Sequence, residues 1–215
     1  MGSTWNAGMD HCFRYDEDMA RFEIQPTARD RAEHDKPDKR RSELHGTKNR
    51  LPNGVPLWGA MSFNHHGWSN PAGMAKGWGG VHGQIHMGKA GGSPALAFRR
   101  TREGRFLVTT SGEFDDLNRK RWTAPLSFDQ VHDLVYRVVL DARAGQLDVW
   151  LDGRQVVHVA NASIGSRVGG CYWCIGCYYS GGISCPVVAE YANHEFPSAK
   201  ELSTRISSQP RWPIA

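Results

Sequence analysis

The chain has 215 residues, of which 40% are hydrophobic and 22% charged, and its formal charge is only +4. That length can build one domain with a substantial core, so residues 1–215 are read as a single domain. The charge is too small to argue for nucleic acid but is compatible with drawing an acidic polymer into a cleft, and without a run of about 18 apolar residues no membrane span is expected.

The opening Met1-Gly2-Ser3-Thr4-Trp5-Asn6 lacks the basic-then-apolar pattern of a secretory leader. Arg21-Phe22-Glu23-Ile24-Gln25 alternates polar and apolar residues, and after a charged loop over 28–40 the segment Arg41-Ser42-Glu43-Leu44-His45 alternates again. Residues 57–63, 94–100, 104–111, 133–141, 146–151, 154–160, 171–179 and 184–191 are further strand candidates. Glycine-rich stretches at 77–83 and 88–92 bracket Gln84-Ile85-His86 and would frame a cleft with their loops. Asp152-Gly153 supplies the positive φ angles of a two-residue type I′ turn, predicting a hairpin between Leu147–Leu151 and Arg154–Val159. Ser198 followed by Glu201 forms a capping-box pattern for a short C-terminal helix ending before Pro210. Many short strands and almost no helical period predict an all-β, two-sheet antiparallel sandwich.

Side chains on a strand alternate between faces, so Arg41, Glu43, His45, Gln84, His86, Tyr172 and Tyr178 project from one face. That set can perform acid/base chemistry on an anionic substrate. Taken singly the residues have plainer uses: Arg41 and Glu43 as a structural ion pair, His86 as a half-buried histidine, Tyr178 as packing. Five cysteines is an odd count. Cys171, Cys174 and Cys177 suggest a metal run at first sight, but Cys174 points away from the other two on a strand, and packing or a disulfide is favoured over zinc; no metal site is assigned.

The ordered set resembles the signature strands of jelly-roll alginate lyases, usually written RSELR, QIH and YFKAGVYNQ, here Arg41-Ser42-Glu43-Leu44, Gln84-Ile85-His86 and Tyr172 through Tyr178. Arg21-Phe22-Glu23, His132 through Val138 and Val149 through Arg154 are similar to the broader group containing heparin lyase I and glucuronan lyase. The resemblance implies a concanavalin-like β-jelly roll whose concave sheet cleaves a 1,4-linked polyuronate by β-elimination, in a secreted, extracellular or periplasmic monomer without a cofactor, a structural calcium ion remaining open. Elimination requires neutralising the uronate carboxylate and stabilising an enolate-like intermediate, for which Arg41 and Gln84 are suitable donors. His86 can remove the C5 proton and Tyr178 protonate the O4 leaving group; alternatively a tyrosine near positive charge could do both, with His86 assisting.

Glu43 is then expected to orient Arg41, while His45, Asn64, His65, His66, Lys89 and Tyr172 contact the polymer and Arg99 and Arg102 extend the cationic track. His45 and Cys174 replace an arginine and a lysine of the resembled motifs, so the face identifies the reaction better than the sugar. Two rivals share the architecture. A noncatalytic carbohydrate-binding jelly roll would not need Gln84, His86 and Tyr178 to converge. A glycoside hydrolase would need paired carboxylates, and Glu113 through Asn118 approaches the E-x-D-x-x-E pattern with Asn118 in place of the second glutamate.

Overall fold

The computed structural model describes residues 3–6, 12–16, 18–26, 39–46, 50–66, 80–88, 93–101, 103–167, 170–180, 183–207 and 212. Among them run the strands β1 (Ser3–Asn6), β2 (Phe13–Asp16), β3 (Met19–Ile24), β4 (Lys39–His45), β5 (Pro56–His66), β6 (Gly80–Met87), β7 (Leu96–Arg100), β8 (Arg105–Gly112), β9 (Asp115–Pro125), β10 (His132–Val139), β11 (Asp141–Leu151), β12 (Arg154–Ile164), β13 (Cys171–Ser180) and β14 (Val187–Ser198). They form two seven-stranded antiparallel sheets, ordered β1-β4-β13-β6-β7-β8-β9 and β12-β11-β10-β5-β14-β3-β2. Strands close in sequence often lie in different sheets, as in a jelly-roll sandwich.

Alternation explains the layering. Phe22, Ile24, Met61, Phe63, Phe98, Phe106, Leu134 and Ile175 all turn inward and are buried, with Phe63 and Phe106 stacked at 5.5 Å between ring centroids. Each such side chain contributes about 1.5–3 kcal/mol on burial. A one-residue register slip would expose a whole strand's share of that set, so the pairing is strongly specified. The predicted hairpin is present, with Asp152 at φ 49° and Gly153 at φ 78° between paired Leu151 and Arg154.

The two outer faces differ. On the second sheet Trp58, Ala60 and Val135 pack with Leu202, and Trp150 stacks on Trp58 at 5.9 Å. Arg205 from the same C-terminal segment reaches Asp133 at 3.5 Å. That segment therefore covers an apolar patch on the second sheet, while the first sheet keeps a polar outer face.

One sequence expectation is corrected and two strands differ from the sequence candidates. The C-terminal helix is only a 3-10 turn at Ser203–Arg205, because Ser198 is the last residue of β14 and the turn starts from Leu202 without a side-chain cap. β9 is missing from the strand candidates because it is an edge strand of the first sheet and needs no apolar alternation. β5 runs on past the candidate strand 57–63 through Asn64-His65-His66. No helix among the described residues is long and apolar enough to cross a membrane.

Candidate active site on the outer face of the first sheet

Pairing of β4, β13 and β6 sets the polar residues in rows across the strands. His45, Cys174 and Gln84 stand side by side, Tyr172 is opposite His86, and Arg41 is opposite Tyr178, whose other neighbour Val81 pairs with Arg99 of β7. Side chains directly opposite each other in such pairs lie about 4.5–5.5 Å apart at Cβ, so each row can act on one small group.

Glu43 occupies the centre and is 2% exposed. Arg41 Nη1 donates to its Oε2 at 3.1 Å and Gln84 Nε2 to its Oε1 at 2.8 Å, with His45 Nε2 3.5 Å from Oε2. Burial alone would raise the pKa of this carboxyl. The hydrogen bond to His45, the charges of Arg41 and His45 and the amide of Gln84 outweigh it and hold Glu43 below the usual carboxylate range. Arg41 offers five N–H donors and Gln84 two, so each can also donate to an external carboxylate.

Two aromatic ends flank this centre. At one, Arg41 lies over the Tyr178 ring at 4.4 Å and Lys39 at 5.3 Å. At the other, His86 and Tyr172 stack with centroids 5.2 Å apart, Arg50 sits 5.4 Å over the Tyr172 ring, and His45 is 5.9 Å from it. Burial lowers the pKa of His86 against the opposing charge of Glu43, so the ring is neutral near pH 7. Burial, with Cys174 and Glu43 adding to it, pushes Tyr172 up to about 12. Tyr178 lies six residues along β13 from Tyr172, roughly 20 Å of strand at about 3.3 Å per residue. Gln84 and Glu43 stand between His86 and Tyr178, and the ring that meets His86 is Tyr172.

Two bulges shape the face. β13 carries one extra residue against β6 between Ile175 and Tyr178, and β6 one against β7 between Val81 and Gly83. Gly176, at φ 140°, lies in the first bulge, where a Cβ would sit 2.2 Å from the Ser42 carbonyl oxygen. The second bulge turns His82 inward. Behind both, the buried Tyr191 hydroxyl of β14 meets the carbonyl oxygens of His82 at 2.7 Å and Gly176 at 3.0 Å.

His65 was expected to touch the polymer, but it points between the sheets and is 2% exposed. There Arg100 Nε donates to its Nδ1 at 3.0 Å, its ring lies 4.0 Å from that of His82, and His82 Nε2 is 2.7 Å from the Tyr179 hydroxyl. Asn64 and His66 alternate with it onto the other side of β5, the outer face of the second sheet, where His66 contacts Asp129 at 2.7 Å and Glu190 at 2.6 Å. The triplet therefore lies apart from the polar face, because its alternation belongs to the opposite sheet. Lys89 and Arg102 lie outside the described residues. Arg99 is buried and donates to Thr109 at 3.1 Å. Glu113, first of the carboxylates a glycosidase would need, accepts from Ser166 Oγ at 3.2 Å and the Arg167 amide at 3.0 Å, away from this face. Cys171 and Cys177 are buried on the inner side, Cys174 on the outer, and the three form no disulfide. Sequence reading missed Tyr191 and also His82, whose inward turn depends on a bulge that no local pattern announces. Lys39 and Arg50 were within its reach as cations flanking the motif strands.

No protein-family model and no curated protein matches this sequence. Solved structures are similar over most of the chain. The endo-β-1,4-glucuronan lyase from the fungus Trichoderma reesei matches at TM-score 0.60 and 12% identity, covering 90% of this chain and 85% of its own. A family 7 alginate lyase, A1-II′, solved in complex with substrate, matches at 0.63 and 14%, covering 90% and 84%. Alginate lyase AlyC3 matches at 0.58 and 15%, covering 87% and 78%. The chain thus has the fold of jelly-roll polysaccharide lyases that act on alginate and glucuronan.

Proposed function

We propose that the protein is a polysaccharide lyase that cleaves a 1,4-linked polyuronate, of alginate or glucuronan type, by β-elimination on the outer face of the first sheet. The observation that carries this reading is the convergence of Arg41 and Gln84 on the buried carboxylate of Glu43, beside the neutral His86. Glu43 holds the two donors in place, and their remaining N–H groups neutralise the substrate carboxylate. Neutralisation makes the C5 proton removable and stabilises the enolate-like intermediate. His86, uncharged at neutral pH, takes that proton. Breaking the C4–O4 bond then leaves a C4=C5 double bond, and a phenol protonates O4; no water is consumed.

Tyr172 is the acid paired with this base, because its ring stacks on His86 and burial keeps its phenol protonated. A second reading has Tyr178, the acid expected from the sequence, act as both base and acid at the Arg41 end, about 20 Å of strand from the ring that meets His86. The partner is an anionic polysaccharide met outside the cytoplasm.

The test is to incubate the protein with alginate, glucuronan, hyaluronan, heparin and pectate while following ultraviolet absorbance of the unsaturated uronate. Activity on alginate or glucuronan, with Tyr172→Phe slowing kcat about a hundredfold or more and Tyr178→Phe sparing it, is the expected result. The reverse pattern moves both proton transfers to Tyr178. Binding without absorbance change across the panel overturns the lyase in favour of a lectin-like binder.

A further inference from the structure

We propose that Glu43, His45 and Cys174 form a binding site for a borderline-soft divalent cation, of which Zn²⁺ is the type. One carboxylate oxygen, one imidazole nitrogen and the thiol sulfur all lie within 4.8 Å of one another. The three side chains are buried, at 2%, 2% and 3% exposure. Their spacing is set by backbone pairing, since His45 is directly opposite Cys174 and Glu43 is opposite Gly176 in the same ladder.

The donor set selects the metal. One sulfur, one nitrogen and one oxygen suit a tetrahedral zinc-type ion with a fourth position open. Calcium and magnesium take oxygen ligands and are disfavoured by the sulfur. Zinc bond lengths of 2.0–2.3 Å imply ligand atoms about 3.5 Å apart, so the cluster has to contract by roughly an ångström. Gln84 and Arg41 already hydrogen-bond the Glu43 carboxylate and would fix its orientation, as outer partners of metal ligands do.

Charge balance is workable. A divalent ion on the carboxylate and the thiolate makes a neutral unit, so Arg41 is not repelled. The thiol proton leaves to solvent as the sulfur binds the metal. Relative to the metal-free face with a neutral His45, where Glu43 and Arg41 cancel, the loaded face gains one positive charge. His45 and Cys174 are also the two positions at which this sequence departs from the cations of the resembled motifs, so a bound ion would return charge to that spot. Occupation of the open position by a substrate carboxylate rests on the lyase reading; the metal site itself does not.

Cobalt(II) is the probe. Chelator-treated protein titrated with Co²⁺ should develop a thiolate-to-cobalt charge-transfer band and the intense visible absorption of a four-coordinate site, saturating at one equivalent. Cys174→Ser should abolish the charge-transfer band, His45→Ala should weaken binding at least tenfold, and Cys185→Ser should change neither. No band in the folded wild type at saturating cobalt, or an undiminished band in Cys174→Ser, overturns the site. If either variant fails to fold, X-ray absorption of the zinc-loaded wild type decides: one sulfur at about 2.3 Å supports the site and a shell of only nitrogen and oxygen refutes it. None of these readouts depends on lyase activity, so failure of the polyuronate assay is distinguishable from failure of the metal site.

Discussion

Lowering the pH from 7 to 4.5 should weaken the sandwich from within, through His82. This ring is buried between the sheets and faces His65, Tyr179 and Arg100, and the Arg100 N–H donates to His65 Nδ1, which requires that neighbouring ring to be neutral. Burial and the charge of Arg100 push His82 down to about 3, and burial takes His65 in the same direction. An unfolded histidine titrates near 6.5. The unfolded chain therefore binds protons first as pH falls below 6.5, and the native state loses stability progressively until pH reaches the folded value. At pH 4.5, two pH units below the unfolded pKa, the His82 contribution is roughly 2.7 kcal/mol at 1.36 kcal/mol per unit. Urea unfolding followed by tryptophan fluorescence, on wild type and His82→Gln at pH 7 and pH 4.5, isolates it. Carboxylates and His66, whose pKa is raised and whose contribution has the opposite sign, are common to both proteins and cancel. The wild type should lose about 2–3 kcal/mol more than His82→Gln between the two pH values. Equal losses would refute the argument.

Three further outcomes follow from the site. Glu43→Gln removes the charge that anchors Arg41 and should lower kcat/KM on the responsive polyuronate ten- to a hundredfold, about 1.4–2.8 kcal/mol, measured as initial rates of double-bond formation. Tyr191→Phe strips the shared donor from two buried carbonyls and should cost about 1–3 kcal/mol of stability, with faster hydrogen exchange around Gly176 and His82. The rate profile should carry an acid limb below pH 6.5, since His86 must be neutral to act and its pKa is lowered; His86→Ala should remove that limb along with most of the turnover.

Much of this architecture is legible in short-range pattern. The Arg41, Gln84 and Tyr172 segments alternate because one side of each strand faces the core and the other the polar face, and Asp152-Gly153 announces its turn through backbone chemistry alone. What escapes is whatever depends on which sheet a strand joins. Asn64-His65-His66 alternates correctly, yet β5 lies in the second sheet, so its histidines serve a buried cluster and a remote surface. Registers between strands distant in sequence are equally hidden. The motif order suggests that His86 and Tyr178 meet, whereas the β13–β6 ladder sets Tyr172 against His86. β9 shows the limit of apolar periodicity, since an edge strand with charged side chains carries no such signal.

The Tyr191 hydroxyl ties the two sheets together in a way that matters for changing this protein. A single atom supplied by the second sheet clamps both backbone irregularities beneath the first. Diversifying the outward residues of β4, β6 and β13 can therefore proceed on an unmoved platform. Substitutions in β14, remote from any polymer, would tilt that platform and change every subsite together.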